Sequence, residues 1–561
     1  MNRAWPVLLL LRLLLLWPLP AVLGTEVLAA RDQEAATHLW GLWAALHEGQ
    51  PLVLRTTLLA FPAGLQVVLV DPANLPAYAL GSLLGPVAGY NMVLYCGLVL
   101  CGLAGALLAR ETGGLPWLGA VAGMACPTVL ANAADGMTEG YAVGWVGVQL
   151  ALLLGAARQG GAGRVLGAAA ALAATWYGGP YNGLFAALLD TGVGLGLLLR
   201  SEQRAVVLRR LVGVAVAAVL LASPLAYAVL RLRTGDLPGM AERAGLPRVV
   251  ENPAIFRGGV QTGADLLDLA LPGPLTGGEA PISHTAYLGV VALGLAVAAV
   301  VRDRRRWPWL AGAALYAGLA LGPYLYLGGE VLRLGGRPLL GPAGLATLAW
   351  PLLGRITRWY RAGAVASLLL APLIATWGST RRRAVGLAAA LVVDALLLAP
   401  LAWPLHHNPP PEVAPYLQLE GEGAIFEMPR TTTAEPPPGA WRDRTALVQA
   451  FHGRPLAGTI MNLQDPPGVL RHHRAMLQLV RTGELPAGDR ARLVGDGFRW
   501  LAWVSTYLPL TETMRANLER CLGPPVARGR ETTIYALDRA EAGCLPPQSP
   551  VPVQRRASGA D

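Results

Sequence analysis

Apolar runs of near-bilayer length recur through most of the chain, and this recurrence constrains its fold more than any single motif. They are Trp5 to Leu23, Tyr90 to Ala109, Pro116 to Ala133, Ala142 to Ala157, Val165 to Tyr181, Leu184 to Leu199, Val206 to Leu230, Ala286 to Val301, Trp309 to Leu327, Ala362 to Trp377 and Ala384 to Trp403. At 1.5 Å per residue, about 20 apolar residues cross a hydrocarbon core of about 30 Å. Arginines cluster at Arg110, at Arg158 and Arg164, from Arg200 to Arg210, from Arg302 to Arg306 and from Arg381 to Arg383, which is every second connection. Cytoplasmic loops carry the excess of positive charge. The pattern therefore predicts a mainly α, polytopic membrane helix bundle of about eleven spans with its amino terminus in the cytoplasm. Residues 24–89, the turns near Asp135 and Gly179, the loops 231–285 and 328–361 and the chain from 404 onward then lie outside. The first run also fits a cleaved signal peptide, with Ala21 to Gly24 as the small-residue cleavage site.

Composition agrees with this class. Apolar residues make up 54% of the 561 residues and charged ones 14%, too apolar a balance for a soluble chain of this length. The formal net charge of +10 comes from arginines grouped between apolar runs, so it orients helices and gives no reason to expect nucleic acid as a partner. There is no lysine. Within residues 50–89, Leu65 to Val70 is too short to span and is expected to lie along the interface.

The tail changes character. His406, His407, Asn408 and Pro409 to Pro411 read as a Pro-rich linker over 404–415 between a membrane domain, 1–403, and an external domain, 416–545, with 546–561 as a disordered tail. Ala424 to Glu427, Trp500 to Ser505 and Thr532 to Ala536 are strand-like, and Val469 to Thr482 and Ala487 to Leu493 helix-like, which predicts a small α/β domain outside the membrane. Cys521 and Cys544 are the only cysteine pair in the tail and a candidate disulfide in an oxidising compartment. Cys96, Cys101 and Cys126 fall in apolar runs, as packing residues do.

The chemistry-bearing candidates gather outside. Arg31 to Trp43, R-D-Q-E-A-A-T-H-L-W-G-L-W, places Asp32 and Glu34 just beyond the first run. Either carboxylate can act as general base on an acceptor hydroxyl, or the pair can help hold a divalent cation such as Mg or Mn. Asp32 also suits the amino-terminal cap of a helix through His38 to Leu46. Asp135 and Glu139, in A-D-G-M-T-E-G-Y, are candidates to complete an acidic cluster or a metal site. Arg358 and Arg361 lie outside against the charge trend, and their planar donor forks suit a lipid phosphate or a headgroup anchor. Trp40, Trp43, Trp176, Tyr177 and Tyr181 fit an interfacial aromatic belt. The histidines, His38 among them, show no metal-ligand spacing with cysteines or acids.

An acidic motif in the first external loop, many alternating spans and an external carboxyl-terminal domain resemble the GT-C superfamily of membrane glycosyltransferases. More narrowly, the same stretch, with F-P-A-G at Phe61 to Gly64, G-Y-N at Gly89 to Asn91, A-Y-L-G at Ala286 to Gly289, L-G-P at Leu321 to Pro323 and the pair Arg358 and Arg361, looks like YfhO-type bacterial membrane proteins. The resemblance implies an inner-membrane, multi-pass enzyme of the cell envelope. It implies sugar taken from a polyprenyl-phosphate lipid and given to an external glycan, lipid or protein acceptor. It maps the catalytic or metal-binding acid onto Asp32 first and Glu34 second, although Gln33 separates acids that are adjacent in many members. The rival reading is a non-catalytic transporter or an envelope-polysaccharide assembly scaffold. Against a transporter, only Arg12, Asp190 and Asp394 come near span interiors, and the two halves show no repeat.

Overall fold

The computed structural model describes residues 5–69, 71–232, 263–269, 271–276, 286–350, 353, 354, 356, 358–429, 436–460 and 472–539. They fall into two compact units, one within Met1–Val53, Val68–Thr234 and Ala241–Pro409, the other within Leu54–Val67 and Pro410–Asp561.

The first unit is helical and belongs in a membrane. Among the described residues, four helices are long and apolar enough to cross one, Pro86–Glu111, Thr138–Gln159, Pro180–Arg200 and Arg204–Arg231. A fifth is added if Pro116–Met124 and Pro127–Ala134, bent by 41°, are one broken span. By that measure the expected eleven are not reached. Val290–Arg302 has 13 residues and Trp307–Ala320 has 14, and Arg381–Val393 passes into a π turn, Asp394–Leu398, that stops before Pro400. Pro127 sets the 41° bend, because Cys126 before it is held at extended dihedrals of φ −71° and ψ 114°. The long helices approach through small residues: a Cβ on either Gly105 or Gly119 would overlap the other's backbone.

In the predicted first loop, Leu65–Val68 pairs as a strand with Val53–Thr56. Val67 and Val68 suit an extended backbone, and the pairing satisfies peptide groups that an isolated short segment would leave open. Val70 lies outside the described residues. The expected linker is pinned as well. Val27 and Asn408 exchange two backbone hydrogen bonds of 2.8 and 3.0 Å, and the Asn408 side chain accepts from Arg31 Nε at 3.0 Å and donates to the Ala29 carbonyl at 2.9 Å.

In the second unit, a four-stranded sheet runs in the order Ala424–Met428, Phe498–Val504, Thr532–Ala536, Ala527–Arg528. The first pair is parallel and the others antiparallel. Every residue of Ala424–Met428 and of Thr532–Ala536 is buried, as strands covered on both faces must be. Beside the sheet, Ile425 bridges to Leu456. Leu456 in turn donates to the Leu58 carbonyl at 2.7 Å, Ala60 donates to Gly458 at 2.7 Å and Phe61 to Leu456 at 3.0 Å. A piece of the first loop therefore adds an edge to this unit. Inside, Arg444 reaches Glu427 at 2.6 Å, the Tyr416 hydroxyl at 3.0 Å and Thr532 at 3.0 Å, and Thr445 donates to the other Glu427 oxygen at 2.6 Å. A buried charge pair held this fully by hydrogen bonds avoids the cost of an unpaired ion. Cys521 is buried and disulfide-bonded, while Cys544 and the tail 546–561 lie outside the described residues.

Candidate functional site

The site is built where the bent helix pair ends. Pro127–Ala134 finishes at Asp135, Gly136 turns the chain at φ +75°, and Thr138–Ala142 makes a 3-10 turn carrying Glu139. The turn Arg31–Glu34 leads into the helix Ala35–His47 and meets this reversal directly, with Glu34 N–H donating to the Asp135 carbonyl at 3.4 Å. The contact needs glycine. A Cβ on Gly136 would come within 2.6 Å of the Ala35 Cβ and 2.9 Å of its Cα, closer than packed carbons approach.

Around this contact the charges converge. The Arg361 guanidinium pairs with Glu139, both side chains 7% exposed. It lies 5.0 Å over the ring of Tyr181 and points one N–H toward Met137 Sδ at 3.4 Å. Next to Tyr181, Asn182 donates to the Glu139 carbonyl at 3.0 Å, so the turn is held by side chain and main chain alike. Glu34 lies within electrostatic reach of Arg361 and of Tyr360, and Asp135, fully buried, within reach of Tyr360 and Tyr90. Arg358, half-buried, is within electrostatic reach of Tyr360.

Of the sequence candidates, Glu34, Asp135, Glu139, Arg358 and Arg361 thus gather at one place. Asp32, expected first, stands exposed on the turn, and it is Glu34 that occupies the position preceding the Ala35–His47 helix. Trp40 is buried, while Trp43 stacks on His47 at 4.8 Å.

A second, unanticipated group lies beside the first. Asp71, 1% exposed, accepts from Asn74 Nδ2 at 2.9 Å and from the Thr138 hydroxyl, and Thr138 Oγ1 is 2.9 Å from His38 Nδ1. His38 and Asp71 are 3.9 Å apart, too far for a direct hydrogen bond, so Thr138 bridges them. Burial pushes the Asp71 carboxyl above its ordinary range, opposed by the His38 charge and the two hydrogen bonds. Its signal in the sequence is faint: a lone acid before Pro72 in V-V-L-V-D-P.

Among the described residues no three His, Cys, Asp or Glu side chains come together as ligands. Glu139 is committed to Arg361, and Asp71 to Thr138 and Asn74. What the arrangement does offer is a carboxylate at the site edge, Glu34, within electrostatic reach of Arg361 and beside a buried acidic turn.

No family model and no curated protein matches the sequence. Among solved structures, the backbone is similar to the arabinofuranosyltransferase AftD from Mycobacteria, with a TM-score of 0.49 and 17% identity over 95% of this chain and 39% of that one. It is similar also to ArnT from Cupriavidus metallidurans bound to undecaprenyl phosphate, with a TM-score of 0.46 and 13% identity over 98% of this chain and 100% of the other. The apo state of that protein gives a TM-score of 0.40 and 15% identity. The chain spans about two fifths of the length of the arabinofuranosyltransferase. Likenesses below a TM-score of 0.5 assign it no function.

Proposed function

We propose that the chain is a membrane glycosyltransferase of the GT-C kind, moving a sugar from a polyprenyl-phosphate lipid to a hydroxyl of an acceptor outside the cytoplasm. The observation that carries this reading is the meeting of Glu34, on the first loop, with the buried turn bearing Asp135 and Glu139 and with Arg361. A hydroxyl is a weak nucleophile until its proton is taken, and Glu34 is the carboxylate at the edge of the cluster that remains partly open to an acceptor. In the proposed step, Glu34 takes the acceptor proton, the acceptor oxygen bonds to the anomeric carbon and the carbon–phosphate-oxygen bond breaks, leaving lipid phosphate. In this reading Arg358, half-buried, meets that phosphate with its planar donor fork, and Arg361, ion-paired with Glu139, serves as counter-ion to the acidic turn. No metal is assigned a part in this step.

One observation favours the transporter reading instead: Gln149 donates to Asp190 at 2.7 Å between two long apolar helices, and an ionisable group there often marks a transport path. A single reconstitution separates the two. With the full chain in vesicles containing a radiolabelled polyprenyl-phosphate sugar and a hydroxyl acceptor, label should appear on the acceptor. Glu34→Gln should reduce its rate by about 10²–10⁴-fold, the usual worth of a positioned base. Asp32→Asn should keep most of it. Loss in Asp32→Asn with Glu34→Gln still active would move the base to Asp32, and label crossing the bilayer with no transfer would favour transport.

A further inference from the structure

We propose that His38, Thr138 and Asp71 form a proton relay that sets the charge beside Glu34. The proposal rests on the transferase reading for the reaction it serves, but the relay itself stands on geometry. All three side chains are withdrawn from solvent, at 7%, 0% and 1% exposure, so a proton held among them does not exchange freely with water. The chain is continuous, from His38 Nδ1 to Thr138 Oγ1 at 2.9 Å and from Thr138 Oγ1 to Asp71 Oδ2.

A hydroxyl can donate once and accept at the same time, which allows two proton arrangements. In the first, His38 is an imidazolium whose Nδ1–H donates to Thr138, and Thr138 donates to the Asp71 carboxylate, which also accepts from Asn74. In the second, the hydroxyl proton has moved to Asp71 and the Nδ1 proton to Thr138. His38 is then a neutral imidazole accepting from Thr138, and Asp71 is a neutral acid. Two protons each move across one hydrogen bond, and the chain's net charge is unchanged.

Opposing influences act on the Asp71 carboxylate. Burial and Glu139, on the turn carrying Thr138, disfavour the Asp71 carboxylate, whereas His38 and the donors Thr138 and Asn74 favour it. Tyr90, from the Pro86–Glu111 helix, is also in electrostatic reach of Asp71. His38 follows Glu34 by four residues, one helical turn, so the two sit on one side of the helix start. With His38 charged, Glu34 is stabilised as a carboxylate and is a weaker base. With the proton passed to Asp71, that positive charge is gone and Glu34 is a stronger base. Thr138 and Asp71 are thus positioning residues that act through His38.

The test uses the reconstituted full chain and the pH dependence of kcat/KM for transfer. Thr138→Val keeps the shape and cuts the relay, and it should shift the acid limb by about one pH unit. Thr138→Ser should restore the native profile. A Thr138→Val profile that overlays the native one would overturn the proposal. Infrared spectroscopy gives a readout without turnover: the protonated-carboxyl band that Asp71→Asn removes should change its midpoint in His38→Gln. An unchanged midpoint overturns the relay even if no transfer is ever detected, and a shifted midpoint without transfer would discard the transferase reading alone.

Discussion

Arg361 and Glu139 form an ion pair with both side chains 7% exposed, at the mouth of an apolar helix, Ala362–Ala375, whose residues are all buried. Removing one member of such a pair strands the other, at a cost of about 3–5 kcal/mol. Arg361→Met should therefore lower the thermal stability of the detergent-solubilised protein more than Glu139→Gln, which keeps a neutral hydrogen-bonding group. The double variant should recover part of the loss. Arg361→Lys should not recover it fully, since an ammonium cannot repeat the planar contact over Tyr181 at 5.0 Å. Additive losses in the double variant would mean that the two residues do not act as a pair.

Gly136 is the point where the acidic turn presses on the first loop. Alanine there must adopt φ +75° and place its Cβ against Ala35, so Gly136→Ala should destabilise by about 1–3 kcal/mol. Because the displaced element carries Glu34, the same variant should lose transfer activity by more than its loss of folded protein explains. Folded fraction from size-exclusion chromatography, compared with activity per folded molecule, checks this. Full specific activity would show that the Glu34–Asp135 contact is not part of the site.

Much of the fold can be read from the sequence, for reasons that differ by element. Helical runs such as Tyr90 to Ala109 are legible because apolarity over bilayer length has few other uses, and the structure has Pro86–Glu111 there. Their ends are not legible, since apolar composition continues where the α-helix does not, as after Val393, where the chain passes into the π turn Asp394–Leu398. In the site, Glu139 and Arg361 stand out as charges in apolar surroundings. Glu34 and Asp32 cannot be ranked by spacing, because one residue of register on a turn decides which faces inward. Asp71 and Thr138 escape notice altogether, being separated by 67 positions and joined only by the fold.

The second unit is completed by chain from the first loop. Leu58, Ala60 and Phe61 make three backbone hydrogen bonds with Leu456 and Gly458, and Phe61 meets Phe498 edge-on at 5.2 Å. At roughly 1 kcal/mol for each bond and about as much for the aromatic pair, residues 54–67 contribute about 3–5 kcal/mol. A fragment of residues 410–561 alone should melt several degrees below one with 54–67 fused through a Gly/Ser linker, and added 54–67 peptide should raise its melting temperature. Equal melting of both fragments would refute the assignment.

The fused fragment also permits a pH test of His452. Its ring stacks on Tyr416 at 5.0 Å, its Nδ1 accepts from the Arg454 N–H at 3.0 Å, and burial, with Arg454 and Arg444 nearby, pulls its pKa down to about 3. The folded ring is therefore neutral over a range in which an unfolded histidine, titrating near 6.5, is charged. Between those values the unfolded chain binds a proton that the folded one does not, so this contribution to stability is complete above about pH 6.5 and is lost progressively as pH falls toward 3. Denaturant midpoints measured by the emission of Trp500 and Trp503 should fall over that window. His452→Gln, which cannot titrate, should show a shallower fall, and parallel curves for the two proteins would mean that His452 is not the group responsible.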